Sequence, residues 1–454
     1  MRADLDTPGR YRKQLLLGFA FTGATFTLVI AMTSPSVYLL ASLAVIVGVV
    51  SLGSTFVLLN SFLPLLAARH PSVTDKHSNG STSFQTMSTS PSSDTQTSPE
   101  LRLSTQISSK GVGLGYAAAV SVQVLSILLL VLLKKAHFAA ESTPLRFVLL
   151  MVGLFWFGLT LPGAYWLRDR PGPSLRVIEP WRSKLPAVLQ YIMFAWSSVW
   201  GTVKTAAKLR QTWVFLIAWF LLSDAIATVS GTAILFARTE LHMGTIAIAL
   251  LSITATSSGI AGAFAWPRIS KRYGWQTKQT ILACVWMMEI IPLYGLLGFI
   301  PFVKSWGFLG LQQAWEIYPL GFVHGFVMGG LSSYCRSFYG EIIPPGSEAA
   351  FYALYAITDK GSSAVGPAIV GAIVDAIGTI RPAFGFLAIL IALPMPLVYM
   401  VDAEKGRADA TSLSKHNGHS AGQPIRMQDY DRVEQEDETD AEFLRRSVEE
   451  DMER

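Results

Sequence analysis

The sequence predicts an all-α polytopic membrane protein, a bundle of about ten spanning helices, and three observations carry that expectation. Of the 454 residues 51% are hydrophobic and only 15% charged, with a mean hydropathy of +0.41. A soluble domain carries about 25% charged residues. Apolar windows of about 20 residues, the length at which a helix crosses a bilayer, recur along the chain. Segments 332–346 and 351–363 set Arg336, Glu341, Asp359 and Lys360 in or beside such windows. An ionisable group at the bilayer centre costs at least about 2.5–3.5 kcal/mol, so such groups face protein or a watery pathway rather than lipid.

No signal peptide is evident. Arg2, Arg10, Arg12 and Lys13 lead into a long apolar run that reads as an uncleaved span. The spans fall at 14–32, 37–59, 112–133, 147–167, 212–236, 244–265, 279–300, 317–338, 350–377 and 380–401. Glycine and proline recur inside them, as at Gly325, Gly329, Gly366-Pro367 and Gly371, and membrane helices tolerate both. The connections 1–13, 60–111, 168–211 and 266–278 hold 4, 4, 8 and 4 lysines and arginines. The opposite side holds only Lys134, Lys135, Arg146, Arg238, Lys304 and Arg381. The richer side is cytosolic by the positive-inside rule, which places both termini in the cytosol.

Three segments fall outside the spans. Segment 185–203 is uncharged, but Ile192, Ala195, Trp196, Val199, Trp200 and Val203 follow helical spacing, and Lys204, Lys208 and Arg210 come next. That pattern favours a helix lying in the cytosolic interface over an eleventh span. The loop 70–110 is dominated by Ser and Thr and is expected to be disordered. So is the tail 403–454; residues 402–454 hold 15 acidic and 8 basic side chains. Cys284 and Cys335 both lie in apolar stretches, which argues against a disulfide framework.

Asp6-Thr7-Pro8-Gly9-Arg10-Tyr11-Arg12-Lys13 resembles the D-x-x-G-R-x-[RK] loop of the major facilitator superfamily. Gly262, Trp266, Pro267, Lys271, Arg272 and Gly274 resemble a degraded second copy between the sixth and seventh spans. Two related loops fit a fold of two homologous halves. In the superfamily that first loop joins the second and third helices, which implies that the first two of twelve are missing here and that Met1 is an internal start. The resemblance then divides the chain into an N-terminal half-bundle (1–167), a central cytosolic linker (168–211) and a C-terminal half-bundle (212–402), followed by the tail.

A narrower resemblance is to the fungal vacuolar effluxer family linked to autophagy. It rests on Arg10-Tyr11-Arg12-Lys13, Ser34-Pro35-Ser36-Val37-Tyr38-Leu39-Leu40, segment 54–64, Ala218-Trp219-Phe220-Leu221-Leu222-Ser223-Asp224 and segment 232–237. Its most specific parts are Ile343-Pro344-Pro345-Gly346 and Thr358-Asp359-Lys360-Gly361-Ser362-Ser363. It implies a multi-pass vacuolar membrane protein that exports amino acids from autophagic breakdown to the cytosol. A non-transporting scaffold or receptor of the same fold is the alternative.

The residues themselves point to a pathway. Tyr352, Tyr355, Asp359, Ser362 or Ser363, and Gly366 recur at three- and four-residue steps and share one helical face, a polar stripe in an apolar segment. Asp359 is suited to receive a substrate ammonium or a coupling proton. A structural ion pair of Lys360 with Asp224 or Glu289 is equally compatible. Asp224, with Thr228 and Gly231 on its face, lies mid-span as a pathway-lining or a hydrogen-bonded buried acid. Asp6, Gly9 and Arg10, with Arg336 and Glu341, are the gate candidates. For Arg336 and Glu341, snorkelling helix ends compete with that role. His324 is either a proton sensor or a satisfied interhelical histidine.

Enzymatic chemistry has little support. No Walker loop, no strand-borne G-x-G-x-x-G, no H-E-x-x-H and no Cys cluster is present. The expected partners are the bilayer and amino acids as small-molecule substrates, with protons as a possible coupling ion. The basic residues fall between spans and serve topology rather than nucleic acid, and no cofactor or metal is implied.

Overall fold

A computed structural model describes residues 11–33, 37–68, 99–135, 143–167, 187–344 and 347–420. Regular structure among these residues is helical. In chain order the helices are α1 (Tyr11–Met32), α2 (Tyr38–Ala68), α3 (Pro99–Lys135), α4 (Thr143–Trp166), α5 (Ala187–Lys208), α6 (Arg210–Thr239) and α7 (Thr245–Tyr273). They continue with α8 (Thr277–Leu297), α9 (Pro301–Ser305), α10 (Ile317–Glu341), α11 (Glu348–Ser362), α12 (Val365–Ile377), α13 (Ala383–Ala392), α14 (Pro394–Met400) and α15 (Ala403–Ser420). Helices α1 to α4 pack on one another, and α6 to α8 with α10 to α14 form a second group. The two groups meet where α3 lies against α7 and α10, and where α2 lies against α11.

Eight segments among the described residues are long and apolar enough to cross a membrane. Two of the ten expected spans are not among them. Span 317–338 forms α10, where His324, Ser332 and Ser333 dilute the apolar run. Span 350–377 is not one helix but two, α11 and α12, each too short to cross alone. The cause lies in Pro367. Its missing N–H and its ring both oppose a continuous helix over the carbonyl of Ser363, four residues back. Span 380–401 is likewise split at Leu393, where Pro394 opens α14.

Two expectations of disorder are corrected where the chain is described. Helix α3 starts at Pro99, well before 112, so 99–110 is helical. Proline suits the first position of a helix. Ser104, Thr105, Ser108 and Ser109 are buried, and Ser109 Oγ donates to Ser333 Oγ of α10 at 3.1 Å. Residues 69–98 lie outside the described set. The start of the tail, 403–420, is α15 rather than disordered chain, and 421–454 lie outside the described set. Of segment 185–203, residues 187–203 fall within α5, which is not among the eight apolar segments, and 185–186 lie outside the described set; Trp196 and Trp200 are exposed on it. Helix α5 turns into α6 at the extended residue Leu209.

Helices α7 and α10 pack most intimately, and glycine makes it so. A Cβ on Gly325 would strike the carbonyl oxygen of Ala255, and one on Gly329 that of Gly259. Small residues let membrane helices approach backbone to backbone, where packing rather than water drives association. Trp266 then donates its Nε1–H to Phe326 O across the seam at 3.1 Å. Both thiols, Cys284 of α8 and Cys335 of α10, are buried and free.

Helix α15 is held by a cap and a small contact. Asp402 Oδ1 accepts the N–H groups of Glu404 (3.1 Å) and Lys405 (3.2 Å), two of the donors that a helix start leaves unsatisfied. Gln211 of α6 accepts the Asp402 N–H at 3.0 Å, and Gly406 lies against Ile342. The Lys405 N–H, and then the other donors and the Lys405 charge, hold the Asp402 carboxyl below its usual range. Because the folded pKa is depressed, this cap is at full strength above about 3.9, the ordinary aspartate value, and fails only as pH falls through the lower folded one.

Two outcomes follow. Gly329→Ala is expected to cost about 1–3 kcal/mol through forced separation of α7 and α10. In a melting assay of detergent-purified protein the control Gly48→Ala, with open space around it, stays at the wild-type temperature. Equal melting of the Gly329 and Gly48 variants would refute the close contact. Asp402→Ala removes a cap of about 1 kcal/mol, so limited proteolysis within 403–420 at neutral pH is expected to speed up several-fold. An unchanged rate would show that the cap does not hold α15.

Candidate functional site

The break between α11 and α12 is where the polar chemistry of the C-terminal group collects. Two adjacent residues of α6 hold it from either side. On the α11 side, Ser223 Oγ lies 2.5 Å from Asp359 Oδ1 and 3.0 Å from Asp359 O, so its single proton is shared between them. On the α12 side, Asp224 Oδ1 accepts the Gly366 N–H at 2.9 Å. That N–H is one of the donors at the start of α12, and a carboxylate there also meets the positive end of the helix dipole. Thr228 Oγ1 donates to Asp224 O at 2.6 Å. A Cβ on Gly366 would strike Thr228 Oγ1, so only glycine lets α12 come this close.

The sequence stripe is present but serves two surroundings. Tyr352 and Tyr355 are buried, not open to water. Tyr355 stacks on Trp219 with centroids 4.6 Å apart, and Tyr339 lies 5.0 Å from Tyr355 and 5.6 Å from Tyr352. Tyr352 OH donates to Arg336 O and Tyr339 OH to Phe351 O, both at 3.0 Å. One turn on, Asp359 is partly exposed, and Ser362, itself buried, donates to Asp359 O at 3.0 Å.

Lys360 does not pair with Asp224 or Glu289. Its Nζ is 3.0 Å from Asp359 Oδ2, and its side chain is 81% exposed. Adjacent positions on the helix leave both groups near the surface of the break. Glu289 stands apart on α8, buried, with Oε2 lacking a hydrogen-bond partner among the described residues.

Of the gate candidates, Arg336 and Glu341 lie among the described residues. Glu341 Oε1 is 3.9 Å from Arg407 of α15. Arg336 stays half-buried on α10, one turn and more from that end. Asp6, Gly9 and Arg10 lie outside the described residues. In the second, degraded loop Gly274 takes a left-handed conformation (φ 66°) and ends α7. His324 Nε2 is 3.2 Å from Ser230 Oγ, at the wall of a cavity of about 220 Å³ lined mainly by apolar side chains such as Leu251, Ile291 and Phe384. Sequence reasoning missed Ser223, Trp219 and Tyr339 as parts of the site. Ser223 and Trp219 are four apart on α6, a spacing that would have placed both toward one neighbour.

The described residues include no cluster of three or more metal-ligating side chains. What the arrangement offers is a pair of carboxylates at a helix break within an apolar bundle, one capped by backbone and one beside an exposed cation.

The model of the family described as "Vacuole effluxer Atg22 like" matches residues 3–411. Autophagy-related protein 22 of Botryotinia fuckeliana is 56% identical over 429 residues, covering 89% of this chain and 72% of its own. Autophagy-related protein 22-2 of Emericella nidulans is 54% identical over 445 residues, with 90% and 75% covered. A solved bacterial homologue of the iron transporter ferroportin, in its outward-facing state, overlays 89% of this chain and 85% of its own at 11% identity and a TM-score of 0.49, a loose likeness. The chain belongs to the Atg22-like family of vacuole effluxers, multi-pass membrane transporters rather than enzymes.

Proposed function

We propose that this protein exports amino acids released by autophagic breakdown from the vacuole lumen to the cytosol. The observation that carries the reading is the helix break between α11 and α12, with Asp224 and Asp359 on either side of it. Broken helices in transporters place backbone dipole ends and freed polar groups at a substrate site. A zwitterion suits such a place, since its ammonium matches a carboxylate. The two helix groups, joined by α2 and α3, supply the halves whose rocking gives alternating access in a major-facilitator arrangement. In this reading both termini, α5 and α15 lie on the cytosolic side. Whether protons are co-transported is decided by the same acids.

Isolated vacuoles provide the test. Asp224→Asn and Asp359→Asn keep shape and remove charge, and the amide oxygen introduced by the first would still accept the Gly366 N–H. Each is expected to reduce amino-acid release at least tenfold while protein amount and vacuolar location stay near wild type. Release at wild-type rates in both would take these acids out of the pathway. Loss of the protein from the membrane would show instead that the charges hold the fold together.

A further inference from the structure

The two helix groups meet along α3, and that seam is closed at one end only. Ser104, Thr105, Ser108, Ser109 and Gly113 are buried, whereas from Leu114 to Leu133 no residue of α3 is. The contacts loosen in the same direction. Ser109 Oγ donates to Ser333 Oγ of α10 at 3.1 Å with both residues buried. Next, Gly113 lies against the ring of Phe264 on α7, and Gly259 of α7 against the ring of Tyr116. Last, Gln123 Nε2 donates to Ser252 Oγ of α7 at 3.2 Å, near the surface. Between those two hydrogen bonds α3 rises about 21 Å. The closed end is the end that carries α15: Ser333 stands about two turns before Glu341, which reaches Arg407. In the export reading that end faces the cytosol.

Hydroxyls seal the closed end. On α10, Ser333 Oγ donates to Gly330 O at 2.8 Å and Ser337 Oγ to Ser333 O at 2.9 Å, so that wall is satisfied by its own backbone. The α3 wall is not. Thr105 and Ser108 are 6% and 4% exposed, and the hydroxyl oxygen of each has no hydrogen-bond partner among the described residues. Further along the same helix, where the seam is open, Ser121 and Ser126 donate to Ala117 O and Val122 O. That back-bond is the usual recourse of a hydroxyl in a helix. A buried hydroxyl without a partner raises the free energy of the closed state, and opening to water removes that cost. Apolar side chains at the same places would act the other way, since parting them would expose them to water. A seam that closes at a small loss suits a two-state transporter, which must populate both states to cycle.

We infer that Thr105, Ser108 and Ser109 of α3 and Ser333 of α10 form the exit gate, and that the exported molecule leaves between α3 and α10 when they part. In this structure the pathway is closed on the α15 side. Once apart, the hydroxyls face the pathway as neutral donors and acceptors, which lets a zwitterion pass without either of its charges being held. The inference rests on the amino-acid export reading and adds the route by which the substrate reaches the cytosol.

The test is a reversible lock. In vacuoles carrying Ser109→Cys together with Ser333→Cys, an oxidant is expected to join the two thiols and to bring amino-acid release down to that of vacuoles lacking the protein. A reductant is expected to restore it. The same oxidant leaves the release rate of each single variant where it was, which also clears the buried native thiols Cys284 and Cys335. A second variant needs no cross-link and decides the matter should the double variant fail to reach the membrane. Ser108→Cys is expected to resist a membrane-impermeant thiol reagent added outside resting vacuoles, and to react several-fold faster once the lumen is loaded with a casein hydrolysate. Release that continues through the cross-link, thiols that do not join, or labelling unaffected by loading each overturns the gate and leaves export standing. No release by the wild type above vacuoles lacking the protein overturns the export reading and the gate together.

Discussion

The helix break in the C-terminal half depends on one arrangement: two consecutive residues of α6, Ser223 and Asp224, gripping the two ends of an interrupted helix. A helix that stops inside an apolar bundle exposes carbonyls at one end and N–H groups at the other, and without water these must find partners. Ser223 and Ser362 serve the carbonyl of Asp359, and Asp224 serves the N–H of Gly366. With those partners in place, a break enforced by Pro367 becomes a fixed feature. It also determines where charge can reside. Asp359 sits at the end of α11 with one oxygen toward Ser223 and the other toward Lys360.

The aromatic packing beside the break serves the same end. Trp219 lies one turn before Ser223 on α6 and stacks on Tyr355, one turn before Asp359 on α11. The hydrogen bond and the stack therefore fix the rotation and height of α11 against α6 at two levels. Tyr339 and Tyr352 continue the contact toward the end of α10, where Thr212 of α6 donates to Ile342 O at 2.7 Å. Helix α11 is thus braced along its length, while its exposed side, with Ile357 and Lys360, carries no such bracing.

How much of this was legible in the sequence depends on whether a feature is local. Helical spacing alone gave the common face of Tyr352, Tyr355 and Asp359, and apolar length gave most spans. The break was not readable, although Gly366-Pro367 stood in plain view. Proline at 162, 267 and 292 sits inside α4, α7 and α8 without ending them. Whether a proline bends or breaks a membrane helix depends on partners for the freed backbone groups, and those come from α6, far away in sequence. The same limit explains Ser104, Thr105, Ser108 and Ser109, polar yet buried, and α15, whose docking needs Gln211 and Ile342. Spacing also gave no account of surroundings: Tyr352 and Tyr355 proved to be packed among aromatic rings, and Glu341 found Arg407.

The central claim is that the break between α11 and α12 is a water-accessible substrate site. Thiol labelling of Ser363→Cys tests it most directly. Cys284 and Cys335 are buried and free, so the native chain gives a quiet background for a membrane-impermeant reagent. The account predicts that a thiol at position 363 is labelled in intact vacuoles and that an excess of exported amino acid slows the labelling. No labelling from either face of the membrane, in protein that is folded and correctly located, would contradict it.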